Sequence, residues 1–349
     1  MPSRPLAARR TAPWIVVSAV ALIASVAVAV TIGPADIGLA DVWNVLAYNL
    51  NLSDSAPDRI VNAMVWNGRL PRVLTAAAVG AGLALGGAVM QSVTRNPLAD
   101  PFLLGLSSGA SLGAASVLVL GVTAFGAVVS LPLAAFAGSL LALAATLALA
   151  AGITRGAGPT PTRTLLAGLA VGQLAAAATS FVIFWSARGD QAREVLAWLM
   201  GSIAGATWAS VLIAGGALLL FGSALIASAN SLDAFAFGDT AAAALGLNVA
   251  RTRWLMLVGV ALMTGALVSQ SGSIGFVGLI LPHAVRLLIG VRHRAVLPLA
   301  ALTGATFLIW ADTLARTVFA PRELPVGILT AAIGAPVFAA ILRRNRADA

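Results

Sequence analysis

From Val73 to Met90 the chain runs eighteen residues without a charge or a proline. At about 1.5 Å of rise per residue, such a run crosses close to the ~30 Å hydrocarbon layer of a bilayer as one helix. Within it, Gly80, Gly82, Gly86 and Gly87 leave the helix surface nearly bare. In lipid, apolar contact gives helices no drive to associate, and bare surface of this kind lets a neighbour approach closely. The stretch therefore reads as a span packed inside a bundle. It ends at a polar corner from Gln91 to Pro101, with two prolines and the polar residues Arg95, Asn96 and Asp100. There the helix must stop and the backbone must meet water or protein. A second helix is expected from about Phe102.

Similar apolar runs recur along the chain. With 349 residues, 60% hydrophobic and only 9% charged, the sequence lies outside the soluble globular range. An all-α polytopic membrane protein is expected, with ten transmembrane helices at about 14–33, 73–91, 102–121, 131–153, 165–185, 208–229, 253–270, 274–290, 296–314 and 326–342. The run from Trp14 exceeds the usual 7–15-residue core of a signal peptide and lacks a small-residue cleavage site before Gly33-Pro34, so it counts as a span. A polar segment from Gly33 to Gly68 follows it, with a short surface helix expected around Leu39 to Leu50.

An even number of spans puts both termini on one side, and the arginines say which. Fourteen fall at the amino end (Arg4, Arg9, Arg10), at alternate corners (Arg95; Arg155 and Arg163; Arg251 and Arg253; Arg286, Arg292 and Arg294) and in the tail (Arg343, Arg344, Arg346). The opposite loops hold seven: Arg59, Arg69, Arg72, Arg188, Arg193, Arg316 and Arg322. By the positive-inside rule both termini are cytoplasmic; the cytoplasmic membrane is the expected location. Spread over short loops in this way, the net charge of +9 marks topology, and no nucleic-acid partner is expected. Trp14, Trp66, Trp185, Trp208, Trp254 and Trp310 fall near span ends, where interfacial anchors sit.

Two absences restrict the chemistry. The chain has no cysteine, which removes thiolate nucleophiles, disulfides and cysteine-ligated metals. All 21 basic residues are arginine, so a Walker A lysine, a Schiff base and a Ser/Lys dyad are impossible. The spans also lack the buried acids and histidines that ion-coupled carriers use. Asp312 precedes Arg316 by one helical turn and is expected to pair with it locally, and His283 reads as a packed histidine at a helix start. Energy is expected from another polypeptide, with a secondary carrier as the alternative.

Setting Val79–Gln91 against Val258–Gln270 gives six identities in thirteen positions. The second segment lies five spans after the first, an odd number, so the copies are inverted, the architecture of alternating-access transporters. The narrow composition of two Gly/Ala/Val helices is the other source of such identities. The most polar interval on the cytoplasmic side, 230–253, is expected to form one or two short helices broken at Gly238 and Gly246. It reads either as a plain interfacial linker or as an element that plugs into a groove of a partner.

Four ordered stretches now carry a resemblance: GRLPRVLTAAAVGAGLALGGAVMQSVTRNPLADPFLLGLSSGASLG, FGDTAAAALGLNVARTR, GSIGFVGLILPHAVRLL and ELPVGILTAAIGAPVFAAIL. From about Trp66 onward the chain resembles the iron-chelate (FecCD) family of ABC importer permeases, which includes cobalamin and haem permeases. The resemblance implies the type II ABC importer permease fold and a subunit that dimerises, with an identical or paralogous copy, around a central pathway. It also implies two cytoplasmic ATPase subunits, which carry the ATP and Mg while this chain binds no cofactor or metal itself. An extracytoplasmic binding protein delivers the ligand. Such a chain is a transport subunit in contact with membrane lipid, without catalytic residues of its own.

Carried onto residues, the resemblance implies that Arg69 and Arg316 receive acidic residues of the binding protein; Arg72 and Arg322 are weaker candidates for that role and read rather as headgroup contacts or helix caps. Gly238, Asp239, Ala243, Leu245 and Gly246 match the segment that couples to the ATPase. Gln91, Asn96, Pro97 and Asp100 match the family's inner corner. By polarity and glycine-rich context, Met90, Gln91, Ser107, Ser108, Ser111, Gln173 and Ser269 are candidates to line the pathway. A ferric siderophore is the expected cargo on family frequency, with haem or cobalamin as the alternative.

Overall fold

The computed structural model describes residues 11–122, 127–151 and 160–347; Arg4, Arg9, Arg10 and Arg155, counted above for topology, lie outside the described residues, as do the last two residues expected of the 131–153 span. The described residues form helices and no strand. The helices are α1 (Thr11–Thr31), α2 (Leu39–Asn49), α3 (Arg59–Thr94), α4 (Leu106–Leu120), α5 (Ala127–Ala151), α6 (Pro161–Ser186), α7 (Gln191–Leu199) and α8 (Trp208–Ala227). They continue with α9 (Ala229–Phe235), α10 (Asp239–Ala244), α11 (Val249–Ser271), α12 (Val277–Ile289), α13 (His293–Thr317) and α14 (Val326–Ala347). Seven, namely α1, α3, α5, α6, α8, α11 and α13, are long and apolar enough to cross a membrane, and α4, α12 and the apolar part of α14 are shorter.

The bundle is organised around α3. Its apolar window is 89% buried, against 17% for α1 and 28% for α6, so α3 is a central helix and its neighbours carry the lipid-facing surface. Asp58 starts it by accepting the backbone N–H groups of Ile60 and Val61, two of the donors that a helix start leaves free. A π-helical stretch, Ala63–Arg69, follows, and Arg95 in the left-handed conformation, at φ 50°, ends it. Helices α11, α12, α13 and the first half of α8 pack against it.

Bare helix surface sets the distance of closest approach. Gly80 of α3 faces Gly304 of α13, and a Cβ built on either would overlap the other's carbonyl oxygen. Nearer the polar corner, a Cβ on Gly87 would overlap the carbonyl of Gly278 in α12. Both contacts follow from the small-residue rule for helix association in lipid.

The corner after α3 differs from expectation in one detail. Asp100 caps a 3-10 turn, Pro101–Leu104, by accepting the N–H of Phe102, and Gly105, at φ 80°, then swings the chain into α4 at Leu106. The expected surface helix is present as α2. It is tied to the start of α3 by Asn49, which donates to Asn62 across 2.7 Å. The 230–253 interval breaks at Gly238 (φ 93°) and Gly246 (φ 88°), with the single six-residue helix α10 between them.

Two side-chain expectations are corrected. Asp312 does not pair with Arg316; its carboxylate takes two bonds from Arg72, from Nε at 2.7 Å and from Nη2 at 3.0 Å. Arg72 is accordingly buried, and is neither a headgroup contact nor a cap. A pair one turn apart on one helix is a weak surface interaction, whereas two helices held close across a buried gap need a fixed partner for each charge. Trp66 and Trp208 also meet each other, with ring centroids 4.7 Å apart and planes tilted by 45°, which joins α3 to α8.

Candidate functional site

Charged side chains gather at the two ends of α3. Arg72 and Gln91 are nineteen positions apart on it, about 29 Å at helical rise. Between those levels the helix carries no ionisable group.

At the Arg72 end, Arg69 and Arg316 are 9% and 6% exposed. Arg69 donates to the carbonyls of Val30, Thr31 and Ala35 at 2.7–3.1 Å, and Arg316 to the carbonyl of Ala29 at 2.6 Å. Ala29, Val30 and Thr31 form the last turn of α1, whose carbonyls have no partner within the helix, and cationic side chains are favoured there. Arg72 holds Asp312 and also reaches Glu323 at 2.8 Å, so the two arginines expected for docking flank a buried ion pair. Nε of Arg316 is buried without a hydrogen-bond partner, leaving one donor uncommitted.

At the other end, Gln91 donates to the carbonyls of Gly278 and Leu279 in α12 at 3.2 and 3.1 Å and accepts from Arg286. Arg286 also reaches the carbonyl of Ala88 and Oγ of Ser92. Ser92 lies 2.5 Å from Nε2 of His293, whose Nδ1 lies 2.6 Å from Oδ1 of Asp233 in α9. Asp239, at the start of α10, accepts from Arg253 at 2.7 Å and stands 3.7 Å from Arg95. The Arg253 guanidinium lies over the ring of Phe235. Ala243, Leu245 and Gly246 belong to the same segment, and Leu245 is exposed together with Phe237.

The residues selected as pathway candidates lie on four helices, α3, α4, α6 and α11. Met90 is buried in the core, and Gln91 is stitched to α12. Ser107 donates to Ser273 at 2.8 Å, Ser111 donates back to Ser107, and Ser108 lies near Gly172 of α6. Gln173 is exposed on α6. Ser269 borders a cavity of about 860 Å³ with Gln270, Trp198, Glu194, Phe136 and Leu131, apolar over most of its wall. Sequence reasoning missed Ser92, Asp233 and His293. Each is an ordinary polar residue near a helix end, and only the fold brings the three together.

The comparisons with known proteins agree with this architecture. The model of the FecCD transport family matches residues 21–344. The cobalamin import system permease protein BtuC of Halobacterium salinarum is 44% identical over 299 residues, covering 85% of this chain and 78% of its own length. The hemin transport system permease protein HmuU of Yersinia pestis is 41% identical, over 81% of this chain and 84% of its own. Among solved structures, a metal-chelate type ABC transporter in an inward-facing conformation superposes with a TM-score of 0.81 at 30% identity, over 95% of this chain and 98% of that one. A central glycine-faced helix with a charged cluster at each end, and a match over nearly the whole length, place this chain in the FecCD transport family.

Proposed function

We propose that the chain is the membrane-spanning permease subunit of an ATP-driven importer that moves a ferric siderophore across the cytoplasmic membrane. The observation that carries this reading is the confinement of charge to the two ends of α3, with no ionisable group along the helix between them. Between its ends α3 offers an ion gradient no ionisable group to work on, which supports energy supplied by nucleotide hydrolysed on two partner ATPases. On this reading all ten apolar helices cross the bilayer, with both termini cytoplasmic, and the halves around α3 and α11 form an inverted repeat. The copies dimerise around a pathway to which Ser107, Ser108, Ser111 and Ser269 contribute. The segment from α9 through α10 faces the ATPase and offers it Leu245 and Phe237. An extracytoplasmic binding protein docks at the Arg69/Arg316 end.

Haem or cobalamin is the second reading, supported by the names of the Y. pestis and H. salinarum relatives. Co-purification with its ATPase, followed by uptake into proteoliposomes with binding protein and ATP, tests the proposal and compares the three ligands. Uptake driven by an ion gradient, in the absence of the ATPase, would overturn it.

A further inference from the structure

Asp233 and His293 are used by nothing in the reading above, yet both sit where the coupling segment meets the bundle. Oδ1 of Asp233 accepts two bonds from the same residue, from the backbone N–H of His293 at 3.0 Å and from its ring Nδ1 at 2.6 Å. His293 is the first residue of α13, and Arg292, in the cap position, gives no side-chain cap. The carboxylate of α9 thus fills the N-cap of α13 from outside, where an anion is favoured by the free N–H groups and the helix dipole. With Nδ1 committed as a donor, Nε2 faces Oγ of Ser92 in the last turns of α3. Ser92 is within reach of Arg286 at 3.3 Å, so one hydroxyl joins α3, α12 and α13.

We propose that Asp233, His293 and Ser92 form a strut that carries movement of the coupling segment to the inner end of α3, with Asp233 and His293 as positioning residues for transport. His293 is 5% exposed and the Asp233 side chain 38%, so the chain is shielded on its imidazole side, where hydrogen bonds hold their geometry better than bonds open to water. Asp239 and Arg95 form a looser tie between the segment and the bundle: they stand 3.7 Å apart with side chains 39% and 47% exposed, and a pair of that kind contributes little. Arg294 to Asn230 is an exposed bond. Arg253 joins Asp239 to α11 and not to α3. The polar route from α9 to α3 therefore runs through the imidazole, beside the direct packing of α9 on α3.

This proposal rests on the permease reading, and the test separates the two. The full complex with ATPase and binding protein is placed in proteoliposomes, and uptake and ATP hydrolysis are measured together. His293→Asn keeps a donor toward Asp233 and loses the reach to Ser92; His293→Gln does the reverse. Both are expected to hydrolyse ATP near the wild-type rate while chelate moved per ATP falls roughly tenfold, the scale of one lost shielded hydrogen bond. Arg294→Gln, which breaks only an exposed bond to Asn230, leaves the ratio unchanged. An unchanged ratio in both His293 variants overturns the strut, and so does loss of the ATPase from the complex, since the residues would then serve docking. A wild-type complex without ATP-driven uptake overturns the permease reading instead.

A second measurement needs no variant at these positions. The chain has no cysteine, so spin labels on Asn230→Cys and Leu98→Cys are free of background. Their separation is expected to stay constant when ATP binds, because the coupling segment and the inner corner of α3 move as one body. A change of about 5 Å or more, one helical turn, overturns the proposal.

Discussion

Arg72 of α3 and Asp312 of α13 form a two-bond ion pair, with the carboxylate 2% and the guanidinium 10% exposed. The two residues are 240 positions apart in the chain and join the central helix to the helix it packs against most extensively. Removing Arg72 leaves Asp312 as a buried, unpaired charge, which costs about 3–5 kcal/mol, and removing Asp312 leaves the buried Arg72 only the half-exposed Glu323, whereas replacing both with apolar residues of similar volume is near neutral. Arg72→Met and Asp312→Leu are each expected to lower the melting temperature in detergent sharply, and the double substitution to recover most of the loss. Additive losses would show that the pair does not couple the helices.

The α3–α13 contact itself depends on Gly80 and Gly304. A methyl group on either meets backbone on the other helix, which cannot step aside as a flexible side chain can. Gly80→Ala and Gly304→Ala are each expected to destabilise the folded chain by about 1–3 kcal/mol or more, the usual range for overpacking. Gly121→Ala is the control for glycine loss without a steric partner, since nothing lies within 4 Å of its added methyl and its φ of 69° accounts for any remaining cost. Thermal scans in one detergent compare the three, and equal losses would remove the close approach as the cause.

Features set by local rules were legible in the sequence. The apolar run Val73–Met90, its glycines and the stops at Gly238 and Gly246 all depend on neighbours along the chain, and each is found in the fold. Pairings across helices were not legible. Asp312 has an arginine one turn away, so a local pair was the natural expectation, and nothing in the sequence marks Arg72 as the nearer partner in space. Ser92, His293 and Asp233 escaped for the same reason, lying 201 and 60 positions apart with no shared motif. The pathway candidates were chosen by polarity, which does not distinguish a side chain facing a lumen from one satisfying a neighbouring carbonyl, as Gln91 does.

Arg69 and Arg316 carry opposing demands. Each completes the carbonyl end of α1, and the proposed function asks them to receive carboxylates of a binding protein. Arg69→Glu with Arg316→Glu is expected to weaken binding-protein affinity at least roughly tenfold, the scale for a lost desolvated charge pair, and also to lower the melting temperature. Affinity is read by surface capture of the purified complex. A lower melting temperature with unchanged affinity would leave the two arginines as caps of α1 and nothing more.

Asp100 gives the corner a dependence on pH. Burial pushes its carboxyl up to about 6, while the N–H of Phe102 acts in the opposite direction by favouring the charged form. Its Oδ2 packs so close to Gly278 that a Cβ there would lie 2.9 Å away, so the corner and the start of α12 share the cost of the charge. A carboxyl whose folded pKa lies above its unfolded value, about 3.9, favours folding most in its protonated form. Its contribution is therefore fully present below about pH 4, is lost as pH rises to about 6, and is constant above that. Asp100→Asn keeps the shape without the charge, so the stability difference between variant and wild type is expected to swing in the variant's favour by about 1–3 kcal/mol across that window. Melting temperatures of both proteins in one detergent from pH 4 to pH 7 measure it, and a difference independent of pH would mean that the carboxyl titrates as it does in water.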